Sequence, residues 1–255
     1  MRVAAFFVAV LFSLAAFSAA LVETASGNVR AGASAAAATA VRKDQRILPG
    51  SVVVTGPKSQ AILRFDDGQA MVLSENTEFR VAAYTFVTDE PKKDQFVFEL
   101  LKGALRSVSS LIGRRNPQAY TLRVPQATIG IRGTDFMVAV VNPAFVSVIN
   151  GSIGVSNAAG AATFGAGATG TVASPTAIAT AIPASALPAP VASTFSQLSS
   201  IAVAAGAAQA AGAAAGGVTA GTAAAIAAGV AAAAAAASGG EGPGGTSTSG
   251  SSGTR

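Results

Sequence analysis

Cysteine and histidine are both absent from the 255 residues, and no charge occurs anywhere from Phe136 to Gly240. Without cysteine there is no disulfide, so a domain exported from the cytoplasm has to be held by its hydrophobic core alone. Ser-His-Asp and Cys-His nucleophilic systems are excluded, as are the usual zinc and copper sites. Carboxylate pairs, Ser-Lys arrangements and oxygen-ligand metal sites remain open. A calcium loop with a terminal bidentate glutamate is not found. Asp66, Asp67 and Asn76, its nearest candidates, read as turn residues. A non-enzymatic protein without a cofactor is expected.

What charge there is does not point to nucleic acid. The net charge is +5, but between Leu21 and Asn157 the 15 Lys or Arg and 11 Asp or Glu are interspersed, as on a solvated mixed surface. The densest basic cluster, Arg114-Arg115 before Asn116-Pro117, has no aromatic neighbours and reads as a loop.

The two ends differ from the middle. "MRVAAFFVAVLFSLAAFSAA", residues 1–20, has one basic residue, a short apolar run and small residues at its end. That is the pattern of a cleaved export signal, which places the protein in the periplasm or cell envelope. After Asn157 the chain turns to alanine, glycine, serine and threonine. Residues 158–200 read as a linker, extended by Pro175, Pro183, Pro188 and Pro190. Residues 201–237 contain 29 Ala or Gly in 37. Alanine favours helix, while each interior glycine costs about 1 kcal/mol. Two readings of 201–237 stay open, a partly helical low-complexity tail or a membrane-associated segment with small-xxx-small spacing at Gly212-Gly216 and Gly217-Gly221. Residues 238–255 read as a flexible tail.

Between them, residues 21–157 show short β runs punctuated by turns. Three glycine dipeptides read as two-residue hairpin loops. Asn150-Gly151 would set Val148 opposite Ile153 and Val146 opposite Val155. Asp67-Gly68 would set Phe65 opposite Ala70 and Leu63 opposite Val72. Lys102-Gly103 would set Leu100 opposite Leu105, with Glu99 across from Arg106. Further strands are expected at Ser51 to Thr55, Glu78 to Phe86, Tyr120 to Val124 and Phe136 to Val141. The fold class is all-β, a short-stranded sandwich, roll or solenoid-like domain of antiparallel hairpins.

The stretch "ATIGIRGTDF", residues 127–136, carries Arg132 between two glycines. A phosphate cradle would need a helix to follow, and a β run follows instead. Ile129 and Ile131 are apolar at odd positions, whereas Phe136, Val138 and Val140 are apolar at even ones. The register must therefore shift, with Gly133 as the bulge or bend. Arg132 then falls at the break, placed to pair with Asp135 or bond freed carbonyls. Arg132, Gly133, Thr134 and Asp135 are a structural motif or a partner-contact site.

Taken in order, "TG", "DG", "LLKG", "NP" and "IGIRGTDF" resemble the FecR-type domain family, from about Thr24 to Asn157. The closing "VSVINGSIGVSN" resembles the family's last hairpin. The resemblance implies an extracytoplasmic all-β domain that contacts other proteins or envelope components. The family's namesake, a periplasmic regulator of iron-citrate transport, receives a signal from an outer-membrane receptor and controls a sigma factor. It carries a cytoplasmic segment and a membrane helix ahead of the domain, where an export signal is expected here.

The main expectation is a module binding an envelope protein or surface polymer, tethered by its Ala/Gly-rich tail. The alternative is a signalling or regulatory component that feeds a separate membrane sensor or sigma-factor pathway. An envelope-polymer hydrolase would use Asp66 with Glu75, or Glu78 with Asp135, at the 5 to 9.5 Å spacing of two-carboxylate chemistry.

Overall fold

The computed structural model describes residues 18–203. Most of the expected export signal, the tract 201–237 beyond Val203 and the tail 238–255 lie outside the described residues. In chain order the strands are β1 (Ala20–Ser26), β2 (Val29–Gly32), β3 (Thr39–Ala40), β4 (Arg46–Ile47), β5 (Val52–Thr55), β6 (Gln60–Phe65), β7 (Ala70–Leu73), β8 (Glu78–Thr85) and β9 (Gln95–Val108). A single helical turn, α1 (Ile112–Arg115), precedes β10 (Tyr120–Val124), β11 (Ala127–Val140) and β12 (Ala144–Asn157). The described chain closes with β13 (Gly160–Gly165), β14 (Thr169–Val172), β15 (Thr180–Ile182) and helix α2 (Ala189–Ser200). The architecture is all-β, in one large mixed sheet with few helical residues.

Three strands are 14 residues long, not short, and each changes neighbours at a glycine in the left-handed region. The first half of β9 lies between β8 and β10, its second half between β7 and β11. β11 runs from β10 to β9 in the same manner and keeps β12 alongside throughout. The bends are Gly103 (φ +85°), Gly133 (φ +59°) and Gly151 (φ +75°). At such a bend the strand gains a residue and its inward set changes parity. Phe96, Phe98 and Leu100 are inward before Gly103, and Leu105 after it. Ile129 and Ile131 are inward before Gly133, and Phe136, Val138 and Val140 after it. Val146 and Val148 give way likewise to Ile153 and Val155 across Gly151.

Two expected hairpins are thereby corrected. Asn150-Gly151 and Lys102-Gly103 are bends inside β12 and β9, not chain reversals. Val148 faces Phe136, and Ile153 faces Ile131. One left-handed residue serves a bulge as well as a turn, so the dipeptide marks a parity change without saying which of the two follows. The chain reverses instead at Val141 to Pro143, where Val140 meets Ala144. The third hairpin exists with its register moved by one. Phe65 N–H donates to the Gln69 carbonyl at 2.9 Å, so Asp66, Asp67 and Gly68 form a three-residue loop. Leu63 then faces Met71 inward, and Ile62 faces Val72 on the other side. The Glu99–Arg106 pair does not form. Glu99 lies near Arg80 (3.9 Å) and Arg123 (3.6 Å). Nor are all neighbours antiparallel, since β10 runs parallel to β9.

The principal core takes residues from both halves of the long strands and is rich in aromatics. Phe98 meets Phe65 at 5.1 Å and Tyr120 at 5.7 Å between ring centroids, and Tyr84 stands edge-on to Phe96 at 4.8 Å. Such rings bury much area each, and tilted contacts add to it. That supplies the cohesion a chain without cysteine needs. The core also begins before the expected domain start: Ala19 and Ala20 are buried, and Ala20 opens β1 opposite Phe65.

Residues 158–200 are folded rather than a linker. β13 pairs with the second half of β12, β14 with its first half, and β15 with β14. The prolines are compatible with this because they fall between elements or, as Pro190 does, in the first turn of α2, where no N–H bond is lost. α2 places Val191, Phe195 and Leu198 against Val72, Ala104, Met137, Ala139 and Phe145, which form a second buried cluster on the outer face of the sheet. Among the described residues no helix is long and apolar enough to cross a membrane.

Candidate functional site

The conspicuous motif of the sequence lies where two bends meet. Gly133 and Gly151 are in such close contact that a Cβ on Gly151 would collide with the Gly133 carbonyl. α1 approaches from the other side, where a Cβ on Gly113 would lie 3.0 Å from the Gly133 Cα. The backbones can come this close only because Gly113 and Gly151 have no side chain, while at Gly133 it is the positive φ that calls for glycine. Thr134 is locked to the segment before α1. Its N–H donates to Ser109 Oγ at 2.7 Å, and its carbonyl accepts from Ser109 N–H at 2.9 Å.

Asp135 does not pair with Arg132, as the spacing suggested. It takes both sides of the Arg106 guanidinium, with Nε at 2.8 Å and Nη2 at 2.7 Å. Arg106 is the cross-sheet neighbour of Met137, two residues beyond Asp135. Its Nη1 turns the other way and donates to the carbonyls of Leu198 (3.1 Å), Ser199 (3.3 Å) and Ile201 (2.9 Å). The guanidinium therefore caps the C-terminal end of α2, where the helix dipole is negative. The carboxylate at its side raises the Arg106 pKa above the ordinary arginine range.

Arg132 is left exposed, with no ion pair or hydrogen bond among the described residues. It lines a cleft of about 810 Å³ together with Arg115, Asn116, Pro117, Gln118, Tyr120, Gly130, Ile131 and Gly154. The wall made by α1 and the turn after it is rigid. Arg115 is bidentate to the buried Asp94 (2.7 and 3.0 Å), donates to the carbonyls of Val87 and Thr88, and stacks 4.3 Å above the Phe86 ring. Asn116 donates to the Pro91 carbonyl at 2.8 Å. Arg114 and Arg115 thus belong to a helical turn and its anchoring, not to an open loop. Gly130 and Gly154 face each other across the ladder and form the floor. A Cβ at either would meet nothing within 4 Å.

Behind the cleft runs a buried polar chain. The Tyr120 hydroxyl lies 3.2 Å from Ser107 Oγ, which accepts from Gln69 Nε2 at 3.4 Å. Gln69 N–H donates to Asp67 Oδ1 at 3.1 Å. Asp67 is fully buried and its Oδ2 has no partner, so desolvation raises its pKa to about 7. Burial likewise holds the Tyr84 and Tyr120 hydroxyls above the usual tyrosine range.

The proposed catalytic carboxylates are engaged elsewhere. Asp66 accepts from Ala19 N–H at 2.8 Å and Glu75 from Lys58 N–H at 2.6 Å. Glu78 lies 3.9 Å from Lys102, and Asp135 is held by Arg106. Of the turn residues, Asp67 and Gly68 lie in the β6–β7 loop, while Lys102, Gly103, Asn150 and Gly151 lie at strand bends. Sequence reasoning missed Ser109, Gly113, Tyr120 and the glycine floor. The floor had a signal: Ile129-Gly130-Ile131 and Ile153-Gly154-Val155 each put glycine where a half-exposed strand normally carries a polar side chain.

No curated protein shows significant similarity to the chain. Two crystal structures of a candidate anti-sigma factor from Parabacteroides distasonis ATCC 8503 are similar to it at 16% and 17% identity, with TM-scores of 0.41 and 0.42. The likeness covers 52% of this chain and 59% of theirs, so the chain spans less than two thirds of those proteins. The family model described as FecR protein matches residues 51–154, from the residue before β5 to the floor glycine of β12.

Proposed function

We propose that the protein is a signalling or regulatory component of the cell envelope that acts by binding another protein. The FecR match carries this reading, because it covers the bent-strand unit, including the Gly133 junction and the Arg132 cleft. The regulatory alternative is favoured over the polymer-binding one by this match, with no feature of the described residues specific to a polymer. The mode of action fits the fold: a sheet presents loops and the Arg132 cleft, and Asp66, Glu75 and Asp135 are engaged in structural contacts.

Site-specific photocross-linking tests it. A photoreactive residue at Ile149, an exposed position two residues before the Gly151 bend, should capture a discrete envelope protein in cells. That protein should be a receptor, membrane sensor or sigma-factor regulator. Capture of polysaccharide alone, or of no protein at all, would refute the proposal.

A further inference from the structure

We infer that the cleft beside the β11 bend is the recognition site for a carboxylate on an extended acidic peptide segment of the partner. This deepens the reading above and rests on it. Three observations converge. Arg132 lines the cleft, is exposed and lacks a partner among the described residues, whereas the other two arginines of this junction, Arg106 and Arg115, are each bidentate to an aspartate. A guanidinium fork with its donors free matches a carboxylate in geometry and charge.

The floor is bare backbone. Gly130 and Gly154 both lie on the outward face of the ladder, and the space above each is empty. An extended main chain can settle there at a depth that a threonine or serine at either position would prevent. The surrounding outward positions on β11, β12 and β13 carry short groups (Thr128, Ser152, Ser156 and Thr163), and the long side chain nearby on β10 is Arg123, across from Thr128. Finally, the opposite wall is preorganised. Arg115 and Asn116 are fixed by Asp94 and by the carbonyls of Val87, Thr88 and Pro91, so little ordering is required on binding. No acidic residue lines the cleft. An acidic segment therefore meets one free positive charge and no repulsion, while a basic or bulky apolar segment has nothing to pair with.

The test uses the full chain and a fluorescently labelled penta-glutamate peptide at about 0.15 M ionic strength, read by anisotropy. Penta-glutamine serves as the neutral control and trigalacturonate as a carboxylate of polysaccharide origin. Penta-glutamate should bind. Arg132→Gln, which removes the fork, and Gly154→Val, which fills the floor, should each weaken it about tenfold. Lys43→Gln removes the same charge at an exposed position outside the cleft and should leave binding within about twofold, because a remote surface charge is screened. Absence of binding, equal losses at Lys43 and Arg132, or retention of trigalacturonate but not peptide would each overturn the inference. The cross-linking experiment separates the two levels. If Arg132→Gln leaves the Ile149 capture intact, the cleft assignment fails and the signalling reading survives. If the wild-type chain captures no protein, the signalling reading fails whatever the peptide does.

Discussion

The two halves of the long strands are built from similar residues but sit in different surroundings. Before the Gly103 and Gly133 bends, and after Gly151, the sheet is buried on one face, and its other face is more open, carrying Thr, Ser, Gly and Arg on β11 and β12 and Gln95, Val97 and Glu99 on β9. On the far side of the Gly103 and Gly133 bends it is buried on both faces, because α2 covers the outer one, and Phe136 to Val140 is buried without a break. One half therefore alternates in sequence and the other reads as a continuous apolar run. The lesson is that glycine bends let one strand serve two environments. The covered half carries the second buried cluster, and the proposed recognition cleft lies in the open one.

The comparison can be broken most severely at the bends. Gly151→Val forces a β-branched residue into φ +75° and drives a side chain into the Gly133 backbone. We expect a loss of more than about 4 kcal/mol, or failure to fold, read by urea unfolding.

The shared core beneath both halves should show a pH dependence. Asp67 holds its proton up to about pH 7 when folded, against an ordinary value of 3.8 when unfolded. Between those values the folded state binds the extra proton. Its stabilising effect is thus complete below about pH 4 and is lost as the pH rises through 7, by up to about 4 kcal/mol. Asp67→Asn should flatten this part of the profile and leave the protein more stable than wild type at pH 8. A thermal-unfolding series from pH 5 to 8 checks both statements.

On the covered half, Phe195→Ala removes the central aromatic of α2 and should cost about 3 kcal/mol. Hydrogen exchange should then quicken in α2 and along the outer face of β9, more than in β10. On the open half, Gly154→Val should change stability by no more than about 0.5 kcal/mol, since the added side chain meets nothing. A large loss there would mean that the two faces are not as different as the geometry indicates.

Much of this organisation could be read from the residues, and the misreadings share one cause. The all-β class followed from the turn spacing and β runs. The break at Gly133 followed from the parity of Ile131 and Phe136. Parity alone could not distinguish a hairpin at Asn150-Gly151 from a bend, because both place Val148 and Ile153 on one side. That choice depends on which distant strand lies opposite, and β11 supplies a matching bend there. The partner of Asp135 was misassigned for a similar reason. Arg132 is three residues away in sequence, whereas Arg106 is its neighbour only through the β9–β11 pairing. Residues 158–200 looked like a linker because alanine, threonine and glycine carry little hydrophobic signal of their own. They fold because β12 offers a free edge and the covered half an apolar face.

Local chemistry in the sequence therefore determined where a strand changes parity, which residues turn inward and which cysteine- and histidine-based reactions are excluded. Those features depend on the φ range of glycine, on strand periodicity and on the functional groups present. Tertiary structure decided which bends face each other, which carboxylate holds which arginine and which arginine is left over. Those depend on contacts between residues far apart in the chain, and no local pattern records them.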